Sequence, residues 1–523
     1  MGTSLVDLRR ETARIQQELQ RRRWLNAPED WVKDRLKETI WSGQVKILNT
    51  VRDNRKTAIK SCHEVGKSFI AGRITGWWLD THLPGEAAVI TTAPTGAQVS
   101  AVLWKEIGRV HTKGNLRGRT NQTNWWIPVA QENGLVKEEL VAFGRKPADK
   151  NPGGFQGHHA KYLLVLMDEA CGVAGTLWEA IDSLVANDRS KIVLLGNPDF
   201  PQTEFELACK PGSGYKVIQI GAFDTPEFTG EDVPAEVVGQ LIGRSYVEEK
   251  RKRWAPSWRW VDKDGKPSDE KKGAKCIPPP GTRPEDIAPF WASKVLGEFP
   301  VQSGEMGLIP APWIRGAMER NLTPGDPNEL GVDCGAGGDS STTAQRRGSV
   351  VRIISEDHNP NTMETTGKVV GELHSTGARR AKVDKIGIGA GIVDRGKELD
   401  EPFYGINVGE APLCICKDLP QVQKGKHHEM CNVSRFANIK AQYYWELRDR
   451  FESGDIDLDA TDEDTAAELV SLRYKRVSSG KIQIEAKADA IRRGIPSPNR
   501  AEAIMLSFAE PTNIDAPSAG VVW

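Results

Sequence analysis

Ser61-Cys62-His63-Glu64-Val65-Gly66-Lys67-Ser68 decides how the first half of this chain folds. The preceding run, Thr57-Ala58-Ile59-Lys60, alternates in polarity and predicts a short strand. The following run, Phe69-Ile70-Ala71-Gly72-Arg73-Ile74, predicts the start of a helix. Strand, loop and helix opening on Gly-Lys-Ser form an arrangement that cradles phosphate. Backbone N–H groups and the helix N-terminus face the phosphate oxygens, Lys67 reaches the β and γ oxygens, and the Ser68 hydroxyl takes a Mg²⁺ position. The usual pattern is G-x-x-x-x-G-K-[ST], and Ser61 stands where its first glycine belongs.

A second stretch supports the same reading. Lys161-Tyr162-Leu163-Leu164-Val165-Leu166-Met167-Asp168-Glu169-Ala170 is an apolar run ending in two acids, which predicts a buried parallel strand. Asp168 at its C-terminal end is the candidate to hold Mg²⁺ through water, and Glu169 the candidate to orient the attacking water. Ala88-Val89-Ile90-Thr91-Thr92-Ala93-Pro94-Thr95 predicts another strand ending in a turn. Lys191-Ile192-Val193-Leu194-Leu195-Gly196-Asn197-Pro198 predicts a third, with Asn197 placed to sense the γ-phosphate. Strands separated by helical stretches imply a parallel sheet with its ligand at the strand C-termini. Gln44, shortly before the first strand, offers an amide that can bond both donor and acceptor of an adenine edge, or simply lie on the surface. Arg145, in a Gly-rich and polar loop with Gly154-Phe155-Gln156-Gly157-His158-His159 beyond it, is either an arginine finger reaching a neighbour's site or a solvated loop residue.

Composition bounds the rest. At 523 residues the chain exceeds one ordinary domain, and a formal net charge of −1 announces no global basic field, so any DNA contact has to be local. The eight Cys form no paired C-x-x-C framework, and with no secretory N-terminus they read as reduced thiols of a cytosolic protein. Cys414-Ile415-Cys416 with His427, His428 and Cys431 has the residue types of a zinc site, but C-x-C spacing without a second tight pair argues against one. No apolar run is long enough to cross a membrane. Met1-Gly2 carries Val6 where a myristoylation motif has Ser or Thr. Residues 1–30 predict a polar helical arm with Leu5, Leu8, Thr12, Ile15 and Leu19 at heptad-like spacing, packed on its own domain or docking a partner. Residues 245–290, with Glu248-Glu249-Lys250-Arg251-Lys252-Arg253-Trp254 and Pro278-Pro279-Pro280, read as a lid or linker with some basic surface for phosphate.

A second constellation begins at Leu330-Gly331-Val332-Asp333-Cys334-Gly335-Ala336-Gly337-Gly338-Asp339. A strand carries Asp333 and a Gly-rich turn carries Asp339. Ala381-Lys382-Val383-Asp384-Lys385-Ile386-Gly387-Ile388-Gly389 predicts another strand ending in an acid. Ser497-Pro498-Asn499-Arg500-Ala501-Glu502-Ala503-Ile504-Met505-Leu506 opens a helix with Glu502 in its first turns. Acids from two strand ends and a helix converging in space repel one another unless cations join them. Two divalent ions about 4 Å apart would activate water and stabilise the leaving oxygen of a phosphodiester.

In this order the parts resemble the large subunit of tailed-phage terminases. The resemblance covers nearly the whole chain. It rests on Gly66-Lys67-Ser68, Leu166-Met167-Asp168-Glu169-Ala170, Gly196-Asn197-Pro198, and Lys294-Val295-Leu296-Gly297-Glu298-Phe299-Pro300. It continues through Gly331-Val332-Asp333, Val383-Asp384-Lys385-Ile386-Gly387-Ile388-Gly389, Leu472-Arg473-Tyr474, Gly480-Lys481-Ile482 and Ser497-Pro498-Asn499-Arg500-Ala501-Glu502-Ala503. It implies an α/β chain with an N-terminal P-loop ATPase domain built on a parallel sheet and a C-terminal ribonuclease H-like nuclease domain. It implies ATP-driven translocation of double-stranded DNA into a procapsid and metal-dependent cutting of concatemeric DNA.

By the same resemblance Lys67, Ser68, Asp168, Glu169 and Asn197 serve the ATPase within and around the loop of residues 61–68, Mg²⁺ or Mn²⁺ serves both sites, and Gln44 and Arg145 stay the candidates for the nucleotide pocket and for catalysis read above. The metal ligands are Ser68 and Asp168 in the ATPase, and Asp333, Asp384, Glu502 and the nearby Asp339 in the nuclease. The implied partners are DNA, a small terminase subunit, the portal protein and further copies in a ring on the portal, with no membrane. The implied place is the host cytoplasm, docked transiently on the procapsid and not secreted. The chain departs from the family at Ser61, at Glu502 where Asp is usual, and at Asn499 where a second Asp often occurs. The expected division is an arm over 1–30, the ATPase over 31–244, a lid or linker over 245–326, the nuclease over 327–512 and a tail over 513–523. A helicase with an accessory nuclease, or an ATP-driven assembly protein with an inactive nuclease fold, are the rival readings.

Overall fold

The computed structural model describes residues 5–130, 135–145, 160–173, 175–201, 203–262, 264–268, 273–301, 306–335, 339–414, 416, 431–477, 479–492 and 495–510. The chain divides into two compact units, Met1–Pro284 with Phe290–Val301, and Glu285–Pro289 with Gln302–Trp523. Residues 245–284 therefore belong to the first unit. The tail over 513–523, residues 154–159, and His427 and His428 lie outside the described residues.

The first unit is built on an eight-stranded sheet: β1 (Lys56–Ser61), β2 (Ala87–Thr92), β3 (Arg119–Asn121), β4 (Asn124–Ala130), β5 (Val136–Gly144), β6 (Tyr162–Met167), β7 (Lys191–Gly196) and β8 (Lys216–Ile220). Their order is β3-β4-β5-β2-β6-β7-β1-β8. The six strands from β5 to β8 in that order run parallel, and β3–β4 and β4–β5 pair antiparallel. The central strands are buried on both faces: Ala58, Ile59, Leu163 to Met167 and Ile192 to Leu195 lie within the core. That is why β6 and β7 read as unbroken apolar runs, and it corrects the alternating reading of β1, where consecutive Thr57, Ala58 and Ile59 are all buried. The loop after β1 feeds helix α3 (Lys67–Thr81), which follows α1 (Leu5–Asn26) and α2 (Ser42–Asp53). Helix α3 is buried around nearly its whole circumference, as a helix apolar on every face should be. The end of α1 packs against it: Trp77 Nε1 donates to the Trp24 carbonyl at 2.8 Å and Arg21 to the Thr81 carbonyl at 2.7 Å. Ile15 and Leu19, upstream in α1, remain exposed.

The second unit carries a five-stranded mixed sheet: β9 (Asn328–Asp333), β10 (Ser341–Arg347), β11 (Val350–Asp357), β12 (Ala381–Asp384) and β13 (Phe403–Ile406). The order is β11-β10-β9-β12-β13, antiparallel through β11, β10 and β9 and parallel through β9, β12 and β13. This order and these directions define a ribonuclease H-like fold. Strand alternation sorts its residues. Leu330, Val332, Ala381 and Val383 point into one core, shared with Val369 and Leu373 of α4 (Thr362–Thr376) and Ile392 and Val393 of α5 (Gly389–Glu398).

The other face of the sheet takes Gly331 and Lys382, against the last helix among the described residues. After α6 (Ile439–Ser453) and α7 (Lys487–Arg492), helix α8 (Asn499–Phe508) lies directly on β9. A Cβ at Gly331 would stand 2.1 Å from the Ala503 carbonyl oxygen and 2.3 Å from the Ser507 nitrogen, so only glycine permits the approach. Lys382 Nζ donates to the Ser507 carbonyl at 2.9 Å and pairs with the buried Glu329 at 2.6 Å. Asp333 and Asp384, each two residues beyond these contacts, therefore face the same helix.

Candidate functional site

In the first unit the loop between β1 and α3 is bent by two left-handed residues, Glu64 (φ 49°) and Gly66 (φ 81°). Gly66 is confined twice over, because a Cβ there would also stand 2.7 Å from Gln44 Nε2. Gln44 itself is buried on α2. Lys67 Nζ donates to Asn197 Oδ1 at 3.0 Å and lies 3.9 Å from Glu169. Asn197 Nδ2 in turn donates to the Ser61 carbonyl at 2.7 Å. The residue at the end of β7 thus ties together the lysine and the strand that begins the loop. Ser68 Oγ donates to Asp168 Oδ2 at 2.8 Å. Burial, then the charge of Glu169, raises the Asp168 carboxyl well above its ordinary range.

Glu169 is itself left-handed (φ 48°), a conformation that costs energy for a residue with a Cβ and that turns its carboxylate toward the loop. A cleft lined by Glu64 to Phe69, Lys105, Glu106, Glu169 and Gln240 opens on the helix N-terminus. Burial pushes the Cys62 thiol up to about 12, which rules it out as a nucleophile at neutral pH. His63 is anchored through its backbone, which donates to the Lys294 carbonyl at 3.1 Å. Arg145 stands exposed after β5, and its guanidinium lies over the Phe143 ring rather than at Lys67, Asp168 or Glu169. Sequence reading missed Arg73 on α3, which is buried and joins Glu38 at 2.9 Å to Glu106 at 2.8 Å beneath the loop. It also missed the buried Lys294–Asp199 pair at 3.0 Å.

In the second unit one oxygen from each of Asp333, Asp384 and Glu502 lies within 4.8 Å of the others. Asp333 ends β9, Asp384 ends β12, and Glu502 sits in the first turn of α8. Burial, then the charge of Glu502, raises Asp333 far above the carboxylate range. Asp384 is raised chiefly by burial. Burial pushes Glu502 the same way, but Lys440 and Lys487 outweigh it and hold it low. Lys440 Nζ lies 2.5 Å from Glu502, and Lys487 Nζ lies 3.0 Å from Glu502 and 3.3 Å from Asp333. Burial would lower Lys487, yet the charges of Asp333 and Glu502 prevail and raise it. The Tyr444 hydroxyl, fully buried beside a small cavity that Lys440, Lys487 and Glu502 also line, has no hydrogen-bond partner among the described residues. Three convergent carboxylates make a hard oxygen donor set, which fits Mg²⁺ or Mn²⁺ and their bound waters.

Asp339 is exposed and stands apart from the three acids brought together. Asn499 is buried and donates to Ser340 Oγ at 3.0 Å, which spends its amide on positioning α8. Arg500 pins the same helix through Glu356 at 2.6 Å and Asp462 at 2.9 Å. Lys440 and Lys487 carried no signal in the sequence, because each is one lysine on a helix far from the acids it meets.

No family model matches the chain. It is 25% identical over 274 residues to a protein of Enterobacteria phage P7 named "Probable terminase, large subunit", an alignment covering 43% of this chain and 52% of that protein. The chain thus spans about half the length of the curated relative it matches. Among solved structures, a variant nuclease domain of the large terminase subunit of bacterial virus Sf6 with manganese aligns at 23% identity, with 39% of this chain and all of that chain covered and a TM-score of 0.32. The large terminase of a thermophilic bacteriophage, in complex with ADP, aligns at 11% identity, over 90% of this chain and all of that chain, with a TM-score of 0.37. The chain is therefore similar to large terminase subunits. Among the described residues no helix is long and apolar enough to cross a membrane.

Proposed function

We propose that this chain is a DNA-packaging terminase large subunit, in which the first unit hydrolyses ATP to move double-stranded DNA and the second cuts it. The observation that carries the reading is the presence in one chain of two separate anion-handling centres. One is a phosphate loop whose lysine is wired to Asn197; the other is a three-acid cluster on a ribonuclease H-like sheet. The mixed sheet of the second unit is unlike the second parallel motor domain of a helicase, which favours a terminase over that alternative.

In the ATPase, residues 62–67 present backbone N–H groups to the phosphates and Lys67 neutralises their oxygens. Ser68 and Asp168, already hydrogen-bonded, would hold Mg²⁺, which when bound offsets charge on the β and γ oxygens. Glu169 orients the attacking water. Asn197, bridging Lys67 and the Ser61 carbonyl, reports whether the γ-phosphate is in place. Gln44, packed under Gly66, contributes to the nucleotide site from α2. Arg145 acts in trans, from a neighbouring copy in a ring on the portal.

In the nuclease, Asp333, Asp384 and Glu502 would hold Mg²⁺ or Mn²⁺, which when bound activate water and stabilise the leaving oxygen. Lys440 and Lys487 keep Glu502 ionised and offer positive charge to the DNA phosphate. The Tyr444 hydroxyl orients a water at the buried side, and Asp339 acts through water from outside the cluster. The small terminase subunit and the portal are the expected partners, and the host cytoplasm, at the procapsid, the place of action.

The test incubates the purified chain with linear and supercoiled duplex DNA, with Mg²⁺ or Mn²⁺ and with or without ATP. Metal-dependent cutting together with ATP hydrolysis supports the proposal. An ATPase that never cuts, under any metal, returns the chain to the assembly-protein reading.

A further inference from the structure

The acids of the second unit are not its sole cluster of metal-binding side chains. Cys414, Cys416 and Cys431 bring one sulfur each within 4.8 Å of the others. Cys416 and Cys431 are buried and Cys414 is half-buried. Cys414 Sγ and Cys431 Sγ stand 3.9 Å apart, about twice the length of a sulfur–sulfur bond. Four thiolates around zinc at about 2.3 Å in a tetrahedron sit about 3.8 Å from one another, so the observed spacing is that of neighbouring ligands on one ion.

The backbone around the thiols is held at both ends. Before Cys414, the Leu413 amide donates to Gln442 Oε1 at 2.7 Å, while the Ile439 and Lys440 amides donate to the Glu410 and Val408 carbonyls at 2.8 and 3.1 Å. After Cys431, the Ser434 and Arg435 amides donate to its carbonyl at 2.9 and 3.1 Å, opening a short helix over Asn432–Arg435. Two anchored stretches thus bring their cysteines to one point. As neutral thiols the sulfurs make only weak hydrogen bonds, such as the one Cys431 Sγ donates to Cys414 Sγ. As thiolates on a dication they would gain a cross-link between two parts of the chain separated in sequence.

We propose that Cys414, Cys416 and Cys431 bind a structural zinc ion as thiolates, independently of the acid cluster and of any nuclease activity. The ion staples the chain on either side of residues 417–430. It thereby fixes the start of α6, whose Lys440 carries its ammonium to Glu502.

The experiment measures metal in the full-length chain, purified without chelator from zinc-supplemented cells and dialysed against excess Mg²⁺. About one zinc per chain is expected, retained by Cys209→Ser and Asp333→Ala and lost from Cys414→Ser and Cys431→Ser. Serine variants can fail for want of folding, so the parental protein is also examined directly. X-ray absorption at the zinc edge should show sulfur scatterers at about 2.3 Å, and cobalt substitution should give thiolate charge-transfer absorption. Zinc absent from the parental chain, zinc bound by oxygen and nitrogen alone, or a Cys414–Cys431 disulfide found by mass spectrometry would each overturn the proposal.

Discussion

The phosphate-loop centre and the three-acid centre both collect charge at the C-terminal ends of strands, and they balance it in opposite ways. In the first, one lysine faces a carboxylate pair and a neutral amide, with Lys67 already bonded to Asn197 and Ser68 to Asp168 where the helix start meets two neighbouring strand ends. In the second, three acids are crowded until burial and mutual repulsion raise two of them, and two lysines from separate helices hold the third ionised. The first is made by one loop and two neighbouring strand ends. The second exists only once α6, α7 and α8 have closed on β9 and β12. Its integrity is therefore the more sensitive of the two to packing at a distance.

Gly331→Val is the change that should separate the centres most sharply. The Ala503 carbonyl oxygen lies 2.1 Å from where the new Cβ must go, so α8 has to lift off β9. A loss above about 4 kcal/mol is expected for the second unit, seen as an early calorimetric transition, with ATP hydrolysis retained. An unchanged melting profile would contradict the packing described for α8.

Lys487→Ala removes the ammonium shared by Asp333 and Glu502. Cutting should fall by roughly ten- to a hundredfold at fixed Mg²⁺, with the ATPase rate untouched. An increase in cutting would mean that Lys487 only competes with metal. Glu502→Asp shortens the arm that reaches Lys440 at 2.5 Å. If the longer side chain compensates for the height of α8, cutting should drop about tenfold and the Mn²⁺-to-Mg²⁺ rate ratio should shift. Equal rates with both metals would make the Glu a tolerated variant of Asp. Asp339→Ala should do least, about twofold or less, because Asp339 is exposed and outside the cluster. A loss as large as that of Asp333→Ala would return it to the ligand set.

What the sequence made legible follows the same contrast. The phosphate loop, Asp168-Glu169 and Asn197 are local in sequence or end long apolar strands, so the order of residues alone announces where they lie. Asp333, Asp384 and Glu502 were legible because strand ends and a helix start are themselves local features. Lys440 and Lys487 were not, since a helix-borne lysine reads as solvated surface until tertiary packing turns it inward. Sequence reading notices Cys414, Cys416 and Cys431 and sets them aside, because C-x-C spacing without a second tight pair does not say that the chain returns Cys431 to the same point. Gln44 reads from sequence as an adenine contact or a surface residue, and its burial beside Gly66 overturns the surface reading without bearing on the other.

If the two units carry separate chemistries, the two should fail independently. Lys67→Ala and Asp333→Ala, each confirmed folded, should be assayed side by side for ATP hydrolysis and for Mn²⁺-dependent plasmid cutting. The account predicts that Lys67→Ala loses ATP turnover by roughly a hundredfold or more while still cutting, and that Asp333→Ala loses cutting while hydrolysing ATP at the parental rate. Parental cutting by Asp333→Ala, or parental ATP turnover by Lys67→Ala, would contradict it.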